Sequence, residues 1–150
     1  MAYRRPSQEY ERDSEGYIII NEGGHEFTDE KVKVYGTAVV TVRGSSTAEA
    51  FESSVVVAYD SSVVYANGFS IVYAFNSSLA YIFDSSKVVA HGFSSVYAYD
   101  FSRVEVYVFS IVYACNSSKV YAHDSSKVFA YDSSKVYFRD SAKIVEDNRR

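Results

Sequence analysis

A chain of 150 residues with net charge −4, 15 Tyr, 10 Phe, no Trp, one Pro and one Cys can form one domain or a short repeat array, and little more. Its 47% apolar composition excludes wholesale disorder, no apolar run is long enough for a membrane-spanning helix, and the lone Cys115 excludes an internal disulfide. The opening MAYRRPSQEYERDSEGY lacks an apolar signal core, so with an unpaired cysteine the expected location is cytoplasmic.

In chain order, residues 1–16 are expected as a flexible tail and residues 17–29, YIIINEGGHEFTD, as an N-terminal cap with a turn at Gly23-Gly24-His25. Residues 1–29 carry three Arg against seven acids, leaving 12 basic and 12 acidic residues in the remainder. A neutral body behind an acidic segment lacks the Lys and Arg surplus that phosphate neutralisation needs, and no basic groove is evident beside the aromatics. Nucleic acid is therefore not an expected partner.

Residues 30–150 form the repeat domain: from Glu30 onward the chain divides into 15 blocks of eight. The best preserved are Ser118-Lys-Val-Tyr-Ala-His-Asp-Ser125, Ser126-Lys-Val-Phe-Ala-Tyr-Asp-Ser133 and Ser134-Lys-Val-Tyr-Phe-Arg-Asp-Ser141. The first position is Ser in 12 blocks, the third Val or Ile in 13, the fifth Ala in nine, and the seventh Asp, Asn or Gly in 13. Ser-x-Val-x-Ala is the period-two alternation of a strand with one buried face. The intervening positions hold Lys87, Arg103, Lys119, Lys127 and Lys135, which must face water. Asp, Asn or Gly followed by Ser supplies a bend, because these residues tolerate left-handed backbone angles. No single block can bury its own face, so the blocks must stack: the expected fold is all-β, a parallel β-helix or β-solenoid.

The spacing of exceptions sets the expected coil. Arg43, Asn67, His91, Cys115 and Arg139 interrupt the mostly aromatic sixth position at intervals of 24, and Gly44, Gly68 and Gly92 keep that interval. This pattern predicts three faces of eight residues, about five coils and a prism about 24 Å tall; a two-sided, 16-residue coil is the alternative.

The blocks resemble the octapeptide arrays of bacterial ice-nucleation proteins, whose unit runs Ala-Gly-Tyr-Gly-Ser-Thr-x-Thr; the match here is Ala122-His-Asp-Ser-Ser126-Lys-Val-Phe129. The water-ordering Thr pair of that family is replaced by Lys127 and Phe129, or by Ile71 and Tyr73, so ice binding is not expected. The chain is more similar to phage and prophage proteins built from Ala-Tyr-Asp-Ser-Ser-x-Val units. That resemblance implies a solenoid, a phage-related setting and, in it, the host cytoplasm; it supplies no active site.

On a 24-residue coil, Tyr73, Tyr97 and Tyr121 form one outward column and Phe75, Tyr99 and His123 the next, a flat aromatic face expected to bind another protein. Tyr35, Tyr59, Phe83, Tyr107 and Tyr131 form a further column. The apolar Val55, Val63, Ile71 and Leu79 are expected to meet in a homodimer interface. His91 and Cys115 would share one column but lack the further ligands of a metal site, and the stacked Asp60 with Asp84, and Asp100 with Asp124, are accounted for as bend formers. Phosphate-loop, dinucleotide and nucleophile-elbow patterns are absent, and no cofactor is expected. The leading functional expectation is a non-enzymatic, protein-binding solenoid, a phage-encoded effector that blocks a host defence complex. The second is an assembly component that oligomerises through solenoid faces or ends.

Overall fold

The structure, a computed structural model, describes residues 9–150. Seventeen strands follow one another with short corners between them. The first six are β1 (Ile18–Ile20), β2 (Gly24–Thr28), β3 (Lys31–Val34), β4 (Val39–Arg43), β5 (Thr47–Ala50) and β6 (Val55–Ala58). Then come β7 (Val63–Ala66), β8 (Ile71–Ala74), β9 (Leu79–Ile82), β10 (Lys87–Ala90), β11 (Ser95–Ala98) and β12 (Arg103–Val106). The last five are β13 (Ile111–Ala114), β14 (Lys119–Ala122), β15 (Lys127–Asp132), β16 (Lys135–Phe138) and β17 (Lys143–Arg149).

The odd-numbered strands build a nine-stranded parallel sheet and the even-numbered strands an eight-stranded one. From β3 onward, each strand pairs with the one 16 residues later in unbroken register, as in Val64↔Ala80, Val72↔Val88 and Val96↔Val112. Only the last pair shifts, at a bulge between Val128 and Phe129. The coil is therefore two-sided, with 16 residues per turn and about eight turns, and not the expected three-sided coil of 24. At about 4.8 Å per strand the nine-stranded sheet rises about 38 Å.

Side-chain volume explains the two-sided form. Three eight-residue faces, each up to about 26 Å long, would set their walls up to about 7.5 Å from the centre, a gap that Ser, Val and Ala are too small to fill, against about 5 Å for two sheets about 10 Å apart. Two sheets pressed face to face are filled by them. The third-position valines and fifth-position alanines of β6 to β15 are completely or almost completely buried. Burying one Val is worth about 1.5 kcal/mol, so this repeated pair of columns carries the fold.

The first-position serines are equally buried. Several donate to the carbonyl three residues earlier: Ser46 to Arg43 at 2.6 Å, Ser70 to Asn67 at 2.8 Å, and Ser94 to His91 and Ser126 to His123 at 2.7 Å. Others meet along the stack, Ser70 with Ser86 at 3.3 Å and Ser78 with Ser94 at 3.4 Å. The hydroxyls of Ser54, Ser102, Ser110, Ser118 and Ser134 have no hydrogen-bond partner among the described residues.

Each corner turns on its seventh-position residue, which adopts a left-handed backbone with φ between 53° and 72° from Gly36 to Asp140. Its side chain also ties the coils together. Asp84 accepts from the backbone N–H of Gly68 at 2.9 Å, Asp100 from Asp84 at 3.1 Å, and Asn116 from Asp100 at 3.1 Å, each reaching back one coil.

At the N-terminal end the chain folds over the first coil. The expected tail over residues 1–16 lies for residues 1–8 outside the described residues; residues 9–16 are held in place. Arg12 bridges antiparallel to Ile18, and the Tyr10 ring meets Phe27 edge-on at 4.9 Å. Lys33 contacts Asp13 at 2.7 Å and holds its carboxyl below the usual carboxylate range.

Candidate functional site

With a 16-residue coil, outward positions fall into columns that differ between the two sheets. On the nine-stranded sheet the fourth positions of β7 to β15 form a continuous ladder: Tyr65, Tyr81, Tyr97, Tyr113 and Phe129. Successive ring centroids lie 5.1, 5.0, 4.6 and 4.8 Å apart, with planes within 15° of parallel. In-register parallel pairing imposes this spacing, since each ring sits one strand above the last. Val63, Leu79, Ser95 and Ile111 flank the ladder on one side; Asn67, Phe83, Tyr99 and Cys115 flank it on the other. Phe83 and Tyr99 stack at 5.1 Å. Burial pushes the hydroxyls of Tyr97, in the ladder, and Tyr99, beside it, above the ordinary tyrosine range. Burial, with Asp132 nearby, also pushes the Cys115 thiol up, so that it is held protonated.

The eight-stranded sheet is different. Its fourth positions run Tyr73, Val89, Glu105, Tyr121 and Tyr137, so the aromatic column is broken in the middle. Its second positions run Ile71, Lys87, Arg103, Lys119 and Lys135, a column of cations. Its corner carries a second ring ladder: Tyr59–Phe75 at 5.0 Å, Phe75–His91 at 5.3 Å, His91–Tyr107 at 4.8 Å and Tyr107–His123 at 4.6 Å. The Arg43 guanidinium caps it, 4.3 Å from the Tyr59 centroid.

These columns regroup the residues singled out in the sequence. Tyr73 and Tyr121 lie on the eight-stranded sheet and Tyr97 on the nine-stranded one, so the three do not form a column. Tyr99 belongs to the corner beside Phe83, whereas Phe75 and His123 belong to the opposite ladder. The series Tyr35, Tyr59, Phe83, Tyr107 and Tyr131 divides likewise: Tyr35 stacks on Phe51, and Tyr59 on Phe75. Val63 and Leu79 are neighbours on the nine-stranded sheet, and Val55 and Ile71 on the eight-stranded sheet, so they make two apolar pairs on different sheets. His91 and Cys115 sit on opposite corners, as do Asp60 and Asp84, and Asp100 and Asp124. The stacked acids are instead Asp84 with Asp100, and Asp124 with Asp140.

The five-ring ladder on the nine-stranded sheet was not read from the sequence. Its signal was present as an aromatic at every sixteenth residue from Tyr65 to Phe129.

No protein-family model, curated protein or solved structure matches this chain. Its architecture defines it as a parallel β-solenoid in which strands recur about every eight residues.

Proposed function

We propose that this chain is a non-enzymatic binding protein that docks another protein against the ring ladder of its nine-stranded sheet. One observation carries the reading: over β7, β9, β11, β13 and the corners that follow them, none of the outward second, fourth and sixth positions holds a charged residue. The eight-stranded sheet carries Lys87, Arg103, Glu105 and Lys119 over the same height. The repeat accepts charge at these outward positions, so its absence from one face is not a demand of folding. A neutral, tyrosine-rich surface fixed by a rigid sheet loses little ordering entropy on association, and tyrosine is a frequent anchor of protein interfaces. The wider setting, a phage-encoded effector that occludes a host defence complex, rests on the resemblance of the repeat unit alone.

The test is affinity capture with the wild-type chain against a Leu79→Lys/Ser95→Lys/Ile111→Lys variant. These substitutions copy the cation column that the opposite sheet already carries, and an unchanged far-UV circular dichroism spectrum checks that the fold is retained. The variant should lose the captured partner, while a Tyr121→Ser control on the other sheet keeps it. Equal capture by all three proteins would overturn the assignment. The assembly reading has one observation in its favour: β17 ends the nine-stranded sheet without a further strand beside it among the described residues, and Val145 on it is exposed. Light scattering across a hundredfold concentration range separates the two, since growing particles support assembly and a constant mass supports docking.

A further inference from the structure

The eight-stranded sheet carries a feature that docking on the opposite face leaves unexplained. Lys87, Arg103, Lys119 and Lys135 stand in direct register on β10, β12, β14 and β16. Like charges placed directly opposite on neighbouring strands destabilise a sheet. Of these four cations only Arg103 has a carboxylate within ion-pair distance among the described residues, Glu105 at 3.6 Å. Four cations in line cover three strand spacings, about 14 Å, a length that suits a polyanion backbone better than a single phosphate.

Two depressions flank this column. On the corner side lies a groove of about 430 Å³, where Phe69, Ser85, Phe101 and Ser117 face Lys87, Arg103 and Lys119. On the sheet side a smaller hollow of about 130 Å³ opens between Tyr73 and Glu105, where Val89 breaks the aromatic column. Phe69 and Phe101 are 71% and 74% exposed, the two most exposed large apolar side chains of the described chain. Alternation with Ser85 and Ser117 sets these rings two strand spacings apart, about 10 Å. The nearby acids are already engaged: Asp84 and Asp100 accept backbone N–H groups of the preceding coil, and Glu105 meets Arg103.

A row of cations alone would suit any polyanion. Bare rings beside the row select one that carries flat apolar groups along an anionic backbone. An acidic peptide would use the cations and leave Phe69 and Phe101 in water. We propose that this groove binds single-stranded nucleic acid, its phosphates along Lys87, Arg103, Lys119 and Lys135 and its bases against Phe69 and Phe101. The expectation against nucleic acid rested on the lack of a Lys and Arg surplus in the chain as a whole, which the coil does not alter, and on the want of a basic groove beside the aromatics. The 16-residue coil assembles one by collecting these four cations on one sheet.

The test is fluorescence anisotropy of a labelled thymidine oligonucleotide of about 12 residues at low salt. Lys87→Glu/Lys119→Glu should weaken binding at least tenfold, and Phe69→Ser/Phe101→Ser several-fold, with far-UV circular dichroism unchanged. With about −0.7 per phosphate neutralised, the slope of log K against log salt should be about −3 for the wild type. A Lys87→Gln/Lys119→Gln variant should bring it to about −1.5. Absence of wild-type binding at low salt would overturn the proposal. So would poly-glutamate competing equally well while the Phe variant binds unchanged, an outcome that reassigns the groove to an acidic protein. The Leu79→Lys/Ser95→Lys/Ile111→Lys variant that tests the opposite face changes no residue of this groove, so the two readings fail separately.

Discussion

At the scale of single residues the corners decide whether a coil can close. A left-handed backbone costs an ordinary L-residue about 1–2 kcal/mol, and the corners meet this cost with Gly, Asn and Asp. The Asp and Asn side chains return part of it by accepting a backbone N–H from the coil below, as Asp132 does from Asn116 at 3.0 Å. Two corners break the rule. Glu52, at φ 59°, still reaches the backbone N–H of Gly36 with its longer carboxylate. Val108, at φ 62°, is β-branched and has nothing to offer the coil below. Its own N–H remains satisfied by Asp124 at 3.0 Å. Val108→Asn should therefore stabilise the protein by about 1 kcal/mol, raising Tm by roughly 2–4 °C for a chain of this size. Thermal unfolding followed at the β-sheet band measures it, and an unchanged or lower Tm would show that the Val108 side chain makes compensating contacts.

At the scale of the strand, the two-sided packing makes its own demand. Ala98 is fully buried in the fifth-position column of the nine-stranded sheet, between Ile82 and Ala114. Ala98→Leu should destabilise by about 1–3 kcal/mol through overpacking, read from the urea midpoint at constant m-value. A hollow, three-walled coil would accept the same leucine at no cost or gain from it, so the substitution reports the cross-section directly. The strands and corners themselves were legible in the sequence, because Ser-x-Val-x-Ala alternation and the Asp/Asn/Gly bend act within eight residues. The number of strands per coil was not. An octapeptide is compatible with any whole number of faces, and the 24-residue spacing of Arg43, Asn67, His91, Cys115 and Arg139 is a recurrence of interruptions to the aromatic sixth position, not of contact. In the structure these residues alternate between corners, with His91 stacked between Phe75 and Tyr107 while Cys115 lies on the other side of the molecule. The deciding quantity, the small volume of the inward side chains, was present in the sequence. The misassigned columns of Tyr73, Tyr97 and Tyr121 follow from that single choice of period.

At the scale of the molecule, a solenoid is nearly one-dimensional: each coil contacts its neighbours and little else, so coils can be removed where register is kept. Sixteen residues is the register. Deleting residues 78–93 takes out β9 and β10 together and returns every later strand to its own sheet, with Tyr65 now one strand below Tyr97. The shortened chain should fold cooperatively, lose stability in proportion to one coil, and keep an unbroken ring ladder. Deleting residues 78–101 removes three blocks. Every later strand then moves to the opposite sheet, Glu105 arrives beside Tyr65, and Tyr113 lands on the other face. Both deletions leave the corner chemistry intact, since every block carries its own bend, so both should retain β-sheet circular dichroism. They should part in the near-ultraviolet exciton signal of stacked tyrosines and in partner capture, which the 16-residue deletion preserves and the 24-residue deletion abolishes. The reverse result would mean that contact, like those interruptions, runs at 24.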